Sequence, residues 1–195
     1  MRMWSGCGGC MGKQRAGRRG ESTEPGSRIR SIRMESSGSS LPGRVLSNAL
    51  RLLVPTVSEI PADYTKFLKK HNGGTPQVRG FSFHHPRRGA QEYWVDEFLG
   101  IEDESLISGT FQGMLTTLLQ HREFIPAEFI PIGIAVRDDL LLLCIEERSR
   151  CYGEVWLLEW DSVVRRVDQI GPPDNSLHFV AESFASFLAS LHETG

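Results

Sequence analysis

The sequence predicts an α+β fold, a mostly antiparallel sheet flanked by helices, with a disordered basic tail at its N-terminus. Three observations predict it. Residues 61–71 form a short helical pattern with hard edges; residues 78–160 hold a series of strand-length runs separated by turns; and a segment with a helical apolar stripe closes the chain.

The elements follow in chain order. Leu46, Leu50, Leu53 and Val57 keep a helical rhythm, so 44–53 reads as an opening helix that Pro55 ends. In 61–71, Pro61 suits a first helical position and Asp63 meets the positive end of the helix dipole. Tyr64, Phe67, Leu68 and His71 share one face, and Asn72-Gly73-Gly74 supplies the left-handed stop. Residues 78–85 alternate Phe81, Phe83 and His85 against Gly80, Ser82 and His84, a half-buried strand. Pro86 to Gly89 make a turn into a second strand over 91–98, a hairpin. A middle helix over 106–120 carries Phe111, Met114, Leu115 and Leu118 on one stripe, with Ser108 or Thr110 as cap. Residues 129–136 place Ile130, Ile132, Ile134 and Val136 on one face, and Pro131, Gly133 and Ala135 on the other. After a turn at Arg137-Asp138-Asp139, residues 140–146 are apolar throughout, as in a central strand. Residues 152–160 are apolar on both sides, so both sides need cover; 163–170 reads as one more strand, and a helix over 177–192 supplies the cover.

The helix Pro61-x-Asp63-Tyr64-x-x-Phe67-Leu68 ending in Asn72-Gly73-Gly74 resembles the signature of the SUKH superfamily, the Smi/Knr-like group. Phe98-Leu99-Gly100, Ile125-Pro126, Phe129-Ile130-Pro131-Ile132-Gly133, Gly153-Glu154-Val155-Trp156, Trp160-Asp161 and Ser183-Phe184 with Phe187-Leu188 follow in that family's order. The resemblance covers residues 44–193 and implies one SUKH-like domain there. It makes Pro61, Tyr64, Phe67, Leu68, Asn72, Gly73, Gly74, Pro131, Gly153 and Trp160 structural motif residues. It also implies a function class: bacterial immunity proteins that neutralise toxin effectors, often nucleases, or regulatory scaffolds as in fungal cell wall assembly. The glycine and asparagine usual in the family's turn are missing at Arg137-Asp138-Asp139, and the long 101–120 stretch is particular to this chain.

Charge divides the chain. Residues 1–33 hold eight Lys/Arg against two Glu, a net of +6; the other 162 residues hold fourteen against twenty-two, a net of −8. Residues 1–43, rich in Gly, Ser and Arg, hold too little apolar surface to offset ordering entropy and read as disordered. Met34 is an alternative start, which leaves the basic leader either an over-extended start or a genuine arm. Neither a secretory signal nor a membrane-length apolar run occurs, so a cytoplasmic protein is expected. Four cysteines agree with a reducing compartment. Cys7 and Cys10 form a C-x-x-C without the second pair that a closed zinc site needs, and a Cys144–Cys151 bond is left open.

No G-x-S-x-G elbow, H-E-x-x-H helix or dinucleotide fingerprint is present, and no catalytic, cofactor or metal residue is assigned. His84 and His85 point to opposite faces of a strand, which keeps both from one metal, and they read as surface residues. His178 reads as a helix-end residue. The acids stand out instead: Asp96, Glu97, Glu102, Asp103, Glu104, Asp138 and Asp139, with Glu146, Glu147, Glu154, Glu159 and Asp161 beyond them. They are either a solvated exterior or a surface that selects a basic partner. The expectation is a non-enzymatic protein-binding domain whose partner is a basic toxin domain. It is monomeric when free, with no direct nucleic acid binding by the folded domain. The alternative is a scaffold with a peptide groove beside Asn72-Gly73-Gly74.

Overall fold

The computed structural model describes residues 33–34, 60–101, 113–160 and 176–193. The helix expected at 44–53, the first part of the middle helix and the strand expected at 163–170 lie outside those residues. In chain order come α1 (Ala62–His71), β1 (Gly80–His85), β2 (Gly89–Phe98), α2 (Met114–His121), β3 (Phe129–Ala135), β4 (Leu140–Cys144), β5 (Val155–Leu158), β6 (Leu177–Ala181) and α3 (Phe184–Ser190). The six strands form one sheet in that same order, and every pairing is antiparallel.

Helix α1 buries Tyr64, Phe67 and Leu68 and exposes Lys66, Lys69 and Lys70, as its spacing dictates. Asp63 does more than meet the dipole. One carboxylate oxygen accepts the Tyr64 N–H at 2.8 Å and the other accepts the Ala185 N–H at 2.8 Å, which ties α1 to the first turn of α3. The rings of Tyr64 and Phe67 lie edge-on to Phe184, at 4.8 and 5.0 Å, and Phe98 and Phe81 pack on Phe187.

The Asn72-Gly73-Gly74 motif has a structural reason. Asn72 is left-handed (φ 47°) and its N–H closes the helix on the Leu68 carbonyl at 3.0 Å. Its side chain reaches across to Ile101, accepting that N–H at 2.8 Å and donating to that carbonyl at 3.3 Å. Gly74 and Phe98 exchange both backbone hydrogen bonds. A Cβ on Gly73 would stand 2.6 Å from the Gly100 nitrogen, and one on Gly100 would overlap the Asn72 carbonyl. The helix exit is therefore docked on the end of β2.

Two expectations about the strands are corrected. The run 177–192 is not one helix: β6 occupies its first five residues, and α3 starts only after Ser183, whose hydroxyl accepts the Ser186 N–H at 3.0 Å. The alternation in β3 also breaks, because the register shifts between Pro131 and Gly133. The shift flips the later residues, so Ala135 shares the main core with Ile130 and Ile132.

Strands β3 to β5 are covered on both sides. The main core lies under α1 and α3, and a second cluster of Ile125, Phe129, Leu140, Leu142 and Leu158 gathers Trp156, Trp160, Leu118 and Phe124 on the other face. A Cys144–Cys151 disulfide, Cα atoms 5.8 Å apart, spans the turn between β4 and β5. In that turn Gly153 (φ 84°) donates its N–H to the Cys144 carbonyl at 2.9 Å. Within the stretch expected to lack structure, Met34 bridges Pro76 and packs against the main core, while the Arg33 carbonyl accepts the Gln77 N–H.

Candidate functional site

The curled sheet brings β1 and β6 together at one point. There His85 and His178 stack with ring centroids 4.6 Å apart, beside Phe83 at 5.4 Å from His178. Glu159, just past β5, completes a buried group: its carboxylate lies 3.9 Å from His85 Nε2 and 3.6 Å from His178 Nε2, and it pairs with the Arg88 guanidinium from the β1–β2 turn. Among the described residues, this trio is the one set of His, Cys, Asp or Glu groups close enough to share an ion, its atoms within 4.8 Å.

Hydrogen bonding decides what the trio can do. His85 Nδ1 accepts the backbone N–H groups of Arg87 at 3.0 Å and Arg88 at 3.1 Å. The neutral ring must therefore carry its proton on Nε2, which faces Glu159 and offers no lone pair to a metal. The guanidinium on the carboxylate is a second obstacle to a cation. Burial pulls both imidazoles below the ordinary histidine range; Arg88 adds to this at His85, and the Glu159 charge opposes it at both rings. The arrangement is an internal ion pair that closes the seam of the sheet.

Three residues here stand elsewhere than the sequence placed them. His85 is buried, not a surface residue; His178 belongs to β6, not a helix end; and Glu159 lies inside, not on the acidic exterior. Period-two spacing carried the signal for Glu159, which falls on the side of Val155 and Leu157.

The expected partner-facing acids that the structure describes differ in exposure. Asp96 is exposed on β2 and Asp138 is exposed in the β3–β4 turn. Glu97 is half-buried, and burial raises its carboxyl above the usual range. Asp139 is only 2% exposed, with Oδ1 accepting the Trp160 N–H at 2.6 Å, so it serves the interior and not a docking face. Glu102, Asp103 and Glu104 lie outside the described residues. Glu146 and Glu147 are exposed past the far end of β4 from Asp138. Of the motif residues, Pro61, Tyr64, Phe67, Leu68, Gly73, Gly74, Pro131 and Gly153 are buried. Trp160 stands edge-on to His121 at 4.5 Å and Phe124 at 5.4 Å, a packing role.

No helix among the described residues is long and apolar enough to cross a membrane. No curated protein and no solved structure matches the chain. A family model described as the SMI1 / KNR4 family (SUKH-1) matches residues 58–190, about two thirds of the sequence. The chain belongs to that family.

Proposed function

We propose that this SMI1 / KNR4-family chain is a non-catalytic, immunity-type domain that binds a basic toxin effector domain, such as a nuclease, and neutralises it by covering its substrate-binding surface. One observation carries the reading. Residues 34–195 have a net charge of −8, with Asp96, Asp138, Glu146 and Glu147 exposed. A nuclease needs a basic surface for phosphate, and an acidic domain competes for that surface by complementarity. Among the described residues, the buried trio has Glu159 paired with Arg88 and His85 Nδ1 taken up by the Arg87 and Arg88 N–H groups, an arrangement that agrees with a binding role. The protein acts in the cytoplasm as a free monomer without a cofactor, and its folded domain does not itself hold nucleic acid.

The regulatory scaffold is the other reading. It would bind a cellular protein or peptide beside Asn72-Gly73-Gly74. The test starts from gene neighbourhood: where a multidomain toxin gene stands immediately upstream, its toxin domain is purified, the full chain is added and nuclease activity is followed, and an isolated gene favours the scaffold instead. Stoichiometric loss of activity supports immunity, whereas full activity in the presence of excess chain rejects it.

A further inference from the structure

The outer face of the β1–β2 hairpin is built differently from the rest of the sheet. Strands β3 to β5 are covered on both sides, but Ser82 and His84 on β1 and Ala90, Glu92, Trp94 and Asp96 on β2 are all exposed. Trp94 is 39% exposed; among the described residues, it and Leu119 are the large apolar side chains left in solvent. A single exposed leucine is ordinary, but an indole standing on a sheet face between two carboxylates is not.

The surroundings of Trp94 are fixed. Its partner across the hairpin is Gly80, whose missing side chain leaves room for the His192 imidazole beside it, and Trp94 stays 39% exposed. The neighbouring pair is Ser82 and Glu92, and the Ser82 hydroxyl donates to Glu92 Oε1 at 2.7 Å. His192 extends the sheet beyond Gly80, exchanging both backbone hydrogen bonds with it, and sets its Nε2 2.9 Å from Glu92 Oε2. Those two hydrogen bonds hold the Glu92 carboxyl below the usual carboxylate range, so it stays ionised and stays in place. Side chains two apart on a strand lie about 7 Å from one another, which puts Glu92 within reach of a group lying across the indole.

We infer that this face is a docking surface for an arginine of a basic protein partner, its guanidinium stacked on Trp94 and paired with Glu92 and Asp96. Charge complementarity selects a cation, and the exposed ring selects the flat guanidinium over a compact ammonium. Trp94 then has the features of an interface anchor: large, rigid and central to a polar rim. The inference rests on the reading of the chain as a binder of basic proteins, and it says where on the molecule that binding is centred.

The test uses the full chain, labelled with nitrogen-15, and acetylated hexa-arginine amide as the probe. The Trp94 indole N–H resonance is identified by its loss in Trp94→Phe. The expected result is a saturable shift of that resonance and of the backbone amides of residues 92–96; followed on those amides, binding is about thirtyfold weaker in Trp94→Ala and about tenfold weaker in Glu92→Gln/Asp96→Asn. Glu123→Lys, an exposed acid outside this face, leaves the site unchanged, and hexa-lysine binds several-fold more weakly. All these side chains are exposed, and unchanged thermal melting of each variant excludes misfolding as the cause. Binding that moves resonances around Glu146 and Glu147 but not Trp94 overturns the inference and leaves the acidic-binder reading standing. Hexa-lysine binding as tightly as hexa-arginine overturns the choice of arginine. No binding anywhere on the chain removes both the inference and the reading beneath it.

Discussion

Replacing Glu159 by alanine tests the structural role assigned to the buried trio. The carboxylate is 8% exposed and the Arg88 side chain 42%, so the deletion strands a guanidinium that water can partly resolvate. Breaking a fully buried pair costs about 3–5 kcal/mol; with one partner half in solvent, about 2–3 kcal/mol is expected. Melting should fall by roughly 5–10 °C at pH 8. The cost must then grow in acid. Burial depresses the folded-state values of His85 and His178 below the unfolded value, so their neutral forms favour folding above about pH 6.5. That contribution is lost as pH falls below it. Glu159 opposes the depression at both rings, whereas Arg88 reinforces it. Without Glu159 the rings resist protonation more strongly, and the gap to the parent chain widens at pH 5. Urea denaturation of both proteins at the two pH values measures it. A variant equal in stability to the parent, or a gap that narrows in acid, refutes the reasoning.

Asn72→Ala should cost about 2–3 kcal/mol, from a strained left-handed residue and two lost side-chain bonds to Ile101, and Asn72→Gly about 1 kcal/mol less. Chemical denaturation that ranks the two variants equally contradicts this. Arg137 and Asp138 hold left-handed backbone (φ 68° and 61°) without the glycine or asparagine such a turn favours, so Arg137→Asn/Asp138→Gly should stabilise by about 1 kcal/mol, read by melting. A destabilised double variant argues against that geometry. The Cys144–Cys151 bond closes a short loop, and Cys151→Ser should cost about 2 kcal/mol. Maleimide labelling of the unfolded, unreduced chain should find Cys144 and Cys151 protected, and labelling at all four cysteines of the sequence rejects the pairing.

The legible parts of the fold were those whose signal is local. The bounds of α1 followed from Pro61, Asp63 and Asn72-Gly73-Gly74, all within one short run. Nothing local tells that Asn72 bonds a residue 29 positions on, and that contact is what makes the motif necessary. The span 177–192 misled because Val180, Phe184, Phe187, Leu188 and Leu191 fit a helical stripe across a real boundary. Ser183, a good N-cap in its middle, marked the true start. Asp139 read as solvated because charges in turns usually are, yet the left-handed pair before it turns its carboxylate onto the Trp160 N–H. The exposed indole of Trp94 was hidden in sequence by its place among strand residues, where an aromatic is ordinarily half-covered. It took the pairing with Gly80 and the exposure of Ser82, His84, Ala90, Glu92 and Asp96 on the same face to reveal it.

The central claim is that the acidic exterior guides the domain to a basic partner. Stopped-flow association of the full chain with its partner recovered by pull-down, measured across ionic strength, tests it most directly. The account predicts a rate constant that falls steeply with salt and drops by about tenfold at low salt in Asp96→Lys/Asp138→Lys. An association rate indifferent to salt and to that reversal would contradict it.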